Sequence, residues 1–208
     1  MKTLELKTSL LLGLFVTSII LANILGTKVT SIFGVRVTVG IYVFPLLFLI
    51  TDIIAEVHGK GRAQSFVYIG LFCLLFTLLL TYLSIISPPN ATWGNQEQYE
   101  LIFGASMRIM IASVIAFLIS QMHDIWAFGM WKKVTKGRFL WLRNNLSTAV
   151  SQLIDTCIFM FIAFYKINPK FTAAFVFSLI IPYWLIKVLF ALCDTPFVYI
   201  GVWWLKRG

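Results

Sequence analysis

The stretch AQSFVYIGLFCLLFTLLLTYLSII, residues 63–86, establishes the fold class, because it runs for 24 residues without one charged side chain. A helix needs roughly 20 consecutive apolar residues to cross the hydrocarbon core of a bilayer. The whole chain has the same character, since 60% of its 208 residues are hydrophobic and only 12% are charged. This composition predicts an all-α integral membrane protein.

Further apolar runs on both sides of this stretch predict six transmembrane helices. The expected spans are residues 8–25, 40–57, 63–86, 105–123, 146–165 and 182–205. The last span begins at Pro182, and Trp184 and Trp203 within it are about 20 residues apart, which suits the aromatic belts at the two faces of a bilayer. Residues 171–181 are then expected to form a packed or re-entrant connection, and residues 1–208 one transmembrane domain.

The Lys and Arg residues predict the orientation of these helices. They number 17 against 8 Asp and Glu, which gives a net charge of +9. With the N-terminus inside, 11 of them fall in inner segments and 4 in outer segments. Because cytoplasmic loops are the ones enriched in Lys and Arg, we expect both termini in the cytoplasm. The charges form short clusters between spans, so topology accounts for them and no nucleic acid partner is expected.

The chain lacks the common motifs of enzymes and metal sites. Its three cysteines lie inside apolar runs without CxxC spacing, and no GxxxxGK[ST], GxSxG or HExxH motif occurs. We therefore expect no enzymatic activity, no cofactor and no metal centre.

Five of the chain's eight carboxylates lie inside or at the ends of apolar runs, where ionised groups are costly. A charge at the bilayer centre costs roughly 2.5–3.5 kcal/mol on the insertion scale, so such a group suggests a functional site. Asp155 and Asp194 approach the midplane of their expected spans, and Lys187 precedes Asp194 by seven residues on the same helix face. Lys187 could pair with either acid, but two acids exceed what one lysine neutralises, which favours a polar cavity.

The candidate residues fall into two groups by depth. The predicted substrate-binding group, open to the outside, is Asn23, Arg108, Gln152, Asp155, Lys187 and Asp194. The predicted inner gate or structural polar network is Asp52, Glu56, Arg62, Gln121, Asp124 and Arg143. Asp52 and Glu56 are four residues apart and share a helix face, so a salt-bridged cap and a gate both remain open. Asn23 and Arg108 could equally serve a helix–helix hydrogen bond or an interface charge.

Three segments carry a resemblance to a known family. FPLLFLITDIIAEVHGKGRA at residues 44–63, RIMIASVIAFLISQMHD at 108–124 and LRNNLSTAVSQLIDTCIFMFIAF at 142–164 together resemble the queuosine precursor transporters, also called vitamin-uptake-like transporters. The sequence departs from the family pattern at Gln64, where a basic residue is expected, and Arg62 lies close by.

The resemblance implies import of a 7-deazaguanine (preQ0, preQ1 or queuine) across the bacterial inner membrane for tRNA modification. It also implies a six-helix fold similar to the substrate-binding subunits of energy-coupling-factor transporters. A guanine-like edge offers two donors that one carboxylate accepts together, so Asp155 is the first choice, with Gln152 beside it and Asn23 or Lys187 at the carbonyl. Trp93, Phe159 and Trp184 are candidates for stacking on the base.

Three hypotheses follow. The first is an importer that binds a 7-deazapurine and alternates access to it across the lipid bilayer. The second is a substrate-binding subunit that needs an energising ATPase and a membrane partner. The third is an intramembrane transferase that holds Mg²⁺ with Asp52, Glu56 and Asp124. Assembly into a homo-oligomer remains open in all three.

Overall fold

The computed structural model of the chain describes residues 2–32, 35–135, 140–193 and 195–207, which are mostly helical. The helices in these ranges are α1 Lys2–Leu25, α2 Phe44–His58, α3 Lys60–Ile86, α4 Gln96–Val134, α5 Leu140–Phe164, α6 Ala173–Cys193 and α7 Thr195–Lys206. Two short strands, β1 Val29–Ile32 and β2 Val35–Thr38, and a 3-10 helix, Val39–Tyr42, lie between α1 and α2.

The described helices identify an all-α polytopic membrane protein. Four stretches are long and apolar enough to cross a bilayer, residues 3–25, 39–58, 61–86 and 96–120. Residues 149–164 and 173–189 form shorter apolar helices. Six spans therefore remain a prediction, as does the single transmembrane domain over residues 1–208. The chain divides into two compact units, residues 1–110 with 186–208, and residues 111–185.

The core of the first unit joins α1, α2, α3 and α7. Its buried residues are Leu11, Phe15, Ile50, Ile53, Ile54, Phe66 and Leu205. The Phe15 and Phe66 rings lie 6.2 Å apart between centroids. A Cβ at Gly201 would collide with Cδ1 of Ile53, so a larger residue there would require the Ile53 side chain to shift. Small residues at such contacts are the usual means of close helix packing in membranes.

A β-hairpin folds back against the end of α1. Its strands are antiparallel, with Val29 opposite Thr38 and Ile32 opposite Val35. The 3-10 helix that follows rests on α1, where a Cβ at Gly40 would lie 2.6 Å from the carbonyl oxygen of Ala22. The hairpin is a small departure from the all-α expectation, and it leaves the second span where it was expected, over residues 39–58.

Hydrogen bonds bring both chain termini to one end of the first unit. The ammonium of Lys7 donates to the carbonyl oxygens of Trp204 at 2.7 Å and Arg207 at 2.5 Å. These carbonyls end α7, where no further turn supplies donors. Nearby in α1, Oγ1 of Thr8 lies 2.9 Å from Nε2 of His58 at the end of α2. The start of α1 and the ends of α2 and α7 therefore share one side, and its cytoplasmic location stays a prediction.

The second unit contains the C-terminal part of α4, α5 and the N-terminal part of α6. His123 Nδ1 lies 3.0 Å from Ser151 Oγ, which joins α4 to α5. Between α5 and α6 the chain turns at Lys166, whose φ of 55° is rare for a residue other than glycine. Packing of α5 on α6 is aromatic, since the rings of Phe161 and Phe177 meet edge to face at 4.9 Å.

The helices of this region have other bounds than the expected final span, residues 182–205 after a connection at 171–181, and that span stays a prediction. Helix α6 begins at Ala173, contains Pro182 in its interior and ends at Cys193, and α7 begins at Thr195. Pro182 removes one backbone donor, a loss that helices in membranes tolerate. Pro196 is in the first turn of α7, where its missing N–H leaves no hydrogen bond unmade. Pro196, and not Pro182, therefore lies at the start of a helix.

Helices α4 and α5 also extend beyond their expected spans. Helix α4 has 39 residues, about 58 Å at 1.5 Å per residue, against an expected span of 105–123. Helix α5 covers Leu140–Phe164 instead of beginning at residue 146. Both extensions contain polar residues, which a criterion based on apolar runs does not count.

Candidate functional site

In the first unit, Ser106 of α4 lies beside the end of α1, the helix that carries Asn23. Asn23 is 5% exposed, and its Nδ2 donates to the carbonyl oxygen of Ile19 at 2.8 Å. Ser106 of α4 is fully buried, and its Oγ lies 3.0 Å from the carbonyl oxygen of Ile102 and 3.4 Å from that of Ile24. Arg108, two residues further along α4, is partly buried. Asn23 is therefore buried and Arg108 partly buried, and their role in a binding site stays a prediction.

Lys187 is the most unusual residue of the predicted group, because a lysine that is only 5% exposed lies within an apolar helix. It continues a buried stripe of α6 that contains Val176, Ile180 and Tyr183. The other face of α6 is exposed at Phe177, Ile181, Leu185 and Leu189. A charged head group on the protected face cannot reach water by lying along the outside of the helix, so its burial needs a compensating polar environment.

Trp184 lies one turn before Lys187, near the midpoint of α6. Its Nε1 is buried and has no hydrogen-bond partner among the described residues. A tryptophan of an aromatic belt keeps its N–H in the wet interface. The burial of Nε1 differs from what is expected of a belt residue, and the belt interpretation stays a prediction, as does the final span that Trp184 helped to bound.

Polar residues of α5 form one face of that helix in the second unit. Gln152 and Asp155 are partly buried, and Ser151 and Thr156 are buried. Thr156 Oγ1 donates to the carbonyl oxygen of Gln152 at 2.8 Å. Together with the contact of His123 to Ser151, these groups give α5 a polar stripe beside Asp155. The sequence drew attention to Gln152 and Asp155 but missed His123, whose lone position at the end of an apolar run carries no spacing signal.

The predicted substrate-binding group is thus divided between the two units. Asn23, Arg108 and Lys187 belong to the first unit, and Gln152 and Asp155 belong to the second. Asp194 lies between α6 and α7, outside the described residues. That these residues form one binding site stays a prediction.

The predicted inner group is described only in part. Asp52 and Glu56 both lie on the exposed face of α2, opposite the core residues Ile53 and Ile54, and Arg62 is exposed in the first turn of α3. Gln121 and Asp124 lie in α4 and Arg143 in α5, with side chains outside the described part of the chain. The contacts that join helix ends in the first unit are those of Lys7 with Trp204 and of Thr8 with His58. No pattern in the sequence indicated them.

A metal centre finds no support in the part of the chain that the structure describes. No group of three His, Cys, Asp or Glu side chains there is arranged to hold an ion. The third proposed Mg²⁺ ligand, Asp124, has its side chain outside that part.

Comparisons with known proteins show what the chain resembles. Residues 38–201 match a family model described as "Putative vitamin uptake transporter". A Bacillus subtilis protein named "Probable queuosine precursor transporter" is 33% identical over 192 residues, covering 90% of this chain and 82% of the relative. The Escherichia coli "Queuosine precursor transporter" is 28% identical over 155 residues, covering 73% of this chain and 66% of the relative. No solved structure matches the chain.

Proposed function

Because the chain belongs to the queuosine precursor transporter family, we propose that it imports a 7-deazaguanine precursor of queuosine across the bacterial inner membrane. The membership follows from the match of residues 38–201 and from the 33% identity to the Bacillus subtilis relative. The protein is a multi-pass membrane transporter and not an enzyme, in agreement with its apolar helices and with the transporter names of its relatives.

The observation that carries the proposal is the polar stripe of α5 that contains Gln152 and Asp155. A 7-deazaguanine is planar and uncharged in its ring, with donors at N1 and the exocyclic amine and an acceptor at the C6 carbonyl. A carboxylate accepts from both donors at once. In this proposal Asp155 holds the donor edge of the base, with Gln152 beside it.

Direct binding tests the proposal most simply. Purified protein in detergent is titrated with preQ0, preQ1, queuine and guanine, and its melting temperature is recorded. A ligand that binds the native state raises the apparent stability, by about 2.7 kcal/mol at 100 times its Kd. Failure of every 7-deazaguanine to shift the melting temperature would refute the proposed cargo.

The substitution Asp155→Asn tests the role of the carboxylate. The amide has one acceptor oxygen and presents donors to donors, so we expect the affinity for preQ0 to fall at least tenfold, since each 1.4 kcal/mol is a factor of ten. Glu97→Gln makes the same chemical change at an exposed position in the first turn of α4 and should leave binding unchanged. Equal affinity of the Asp155→Asn variant and the unsubstituted protein would remove Asp155 from the site.

Uptake into liposomes that contain no other protein addresses the mechanism. Accumulation of labelled preQ0 by the purified protein alone is expected of an importer that works without an ATPase subunit. Binding without uptake would instead indicate a subunit that requires energising partners.

A further inference from the structure

The end of the first unit where α1 meets α7 carries three cations close together. The ammonium of Lys7 donates hydrogen bonds to the carbonyl oxygens of Trp204 and Arg207, at 2.7 and 2.5 Å. Lys206 is the last residue of α7 and Arg207 follows it, and both side chains are exposed. The two ends of the chain thus contribute Lys7, Lys206 and Arg207 to one place, which lies wholly within the first unit.

No carboxylate neutralises these cations in the part of the chain that the structure describes. None of the three forms an ion pair there, and neither does Glu5, the acidic residue closest to Lys7 in sequence. Glu5 and Lys7 are two residues apart in α1, a spacing at which side chains on a helix do not face each other. Exposed cations of one sign raise the local positive potential and attract anions.

Two exposed tryptophans of α7 lie beside these cations. Cζ of Arg207 is 4.2 Å from the centroid of the Trp203 ring, and Nζ of Lys7 is 5.0 Å from that of Trp204. A cation over the face of an indole is attracted by the ring. Exposed tryptophans next to Lys and Arg are typical of the headgroup level of a bilayer.

The exposed faces that lead to this end of the unit are apolar. They carry Leu6 and Leu10 in α1 and Phe197 and Ile200 in α7. In a membrane transporter, faces of this kind contact the acyl chains of the lipids. Lys206 follows Ile200 by six residues, about 9 Å along the helix axis, so the surface changes from apolar to charged within a short distance. The cations therefore lie where the phosphates of the surrounding lipids begin.

We infer that Lys7, Trp203, Trp204, Lys206 and Arg207 form a binding surface, the basic end, for the phosphate headgroup of an anionic phospholipid. A guanidinium stacked on an indole uses its face for the stacking. Its N–H groups lie in its plane and remain available to donate to phosphate oxygens. The acyl chains of the same lipid lie along the exposed apolar faces of α1 and α7. The inference goes beyond the proposed function, since it does not depend on the identity of the cargo.

Charge favours an anionic lipid over a zwitterionic one at the basic end. Phosphatidylcholine carries a quaternary ammonium beside its phosphate, which the three cations repel, whereas phosphatidylglycerol has a net negative charge. Basic clusters next to membrane helices recognise anionic headgroups for this reason. A soluble phosphate gains the same attraction but lacks the contacts of acyl chains. A lipid bound to both Lys7 and Arg207 also holds α1 against α7 and stabilises the native protein.

A titration with three ligands tests the inference. The full chain, purified in an uncharged detergent, is titrated with dioleoylphosphatidylglycerol, dioleoylphosphatidylcholine and glycerol 3-phosphate, and native mass spectrometry measures the bound fraction. We expect the anionic lipid to bind about tenfold more tightly than the zwitterionic one. Glycerol 3-phosphate, which has the phosphate without acyl chains, should not bind in the same concentration range.

Substitutions at the basic end identify the residues that bind the lipid. Arg207→Gln removes one charge and should weaken the binding of phosphatidylglycerol about fivefold, and Arg207→Lys should restore it to within about twofold. The contact with Lys7 uses the backbone carbonyl of Arg207, so these variants keep it. Lys206→Gln removes a second exposed charge and should weaken binding by a similar factor. Lys170→Gln makes the same change in the exposed connection between α5 and α6 and should leave binding unchanged.

Any of three results would overturn the inference. Equal affinity for phosphatidylglycerol and phosphatidylcholine would show that the three cations do not select the lipid. Binding of glycerol 3-phosphate as tightly as phosphatidylglycerol would indicate a site for a soluble anion. Full affinity in both Arg207→Gln and Lys206→Gln, or an equal loss in Lys170→Gln, would place any bound lipid elsewhere on the protein. None of these results bears on the cargo, whose binding is measured separately.

Discussion

At the scale of single residues, the chain keeps a few polar groups on protected faces of otherwise apolar helices. The buried side chains of Asn23, Ser106 and Thr156 donate hydrogen bonds to backbone carbonyls within their own helices. Lys187 differs from these residues because it is charged, and the other buried residues of its helix are mainly apolar. Its role in the binding of cargo stays a prediction.

Replacing that lysine should separate function from folding. Lys187→Met keeps the length of the side chain and removes the charge, so we expect the protein still to insert into the membrane, while uptake of preQ0 falls more than tenfold. Cellular uptake and the melting temperature of the purified variant are the two measurements. Lys170→Met, at an exposed position between α5 and α6, is the matched control. Unchanged uptake by Lys187→Met would show that the buried charge serves structure alone.

At the scale of helices, the effect of a proline or a glycine depends on its position in the helix. Pro182 stays inside α6, whereas Pro196 accompanies the start of α7. Gly201 lets α7 lie against Ile53 of α2, and Gly13 of α1 has no neighbour within 4 Å of the position of a Cβ. A side chain larger than that of glycine is therefore expected to disturb the packing at Gly201 but not at Gly13.

This difference predicts unequal effects of one substitution at two glycines. Gly201→Val drives a side chain into Ile53 and should lower stability by about 1–3 kcal/mol, as overpacking does in well-packed interiors. Gly13→Val lies on an exposed part of α1 and should change stability by less than about 0.5 kcal/mol. Melting temperatures in the same detergent measure both. A larger loss for Gly13→Val would contradict the close approach of α7 to α2.

At the scale of the whole molecule, the two ends of the chain are joined. Lys7 and the carbonyl of Arg207 are separated by 200 positions in sequence and linked by a hydrogen bond in the structure. Basic residues are frequent in the segments around this end, among them Arg62, Lys206 and Arg207. The positive-inside rule then places the joined termini in the cytoplasm, an assignment that remains a prediction.

Thiol labelling tests the topology of the termini. In a background where the native cysteines are replaced by serine, Thr3→Cys and Arg207→Cys should both resist a membrane-impermeant maleimide in intact cells and react after permeabilisation. Thr92→Cys, in the exposed connection between α3 and α4, should react in intact cells and provides the positive control. Labelling of one terminus but not the other would contradict the location of both ends on one side of the membrane. Labelling of both in intact cells would show that they face outward.

Patterns along the chain were enough to predict the class of protein and the approximate positions of the first four candidate spans. These properties follow from the length of apolar runs against the thickness of a bilayer and from the cost of charge within them, which depend on composition along the chain. The family resemblance, carried by three segments, was likewise visible in the sequence and is confirmed by the comparisons.

Three-dimensional packing was needed to establish which proline accompanies a helix start, which face of α6 is protected and which residues join the ends of the helices. The sequence alone does not distinguish a proline inside a helix from one at a helix start. The surrounding structure decides at which of these positions a proline is tolerated. The burial of Lys187 and of the indole nitrogen of Trp184, and the closure of Lys7 on α7, depend on groups distant in sequence. Such contacts follow from how helices pack, which no pattern along a single helix specifies.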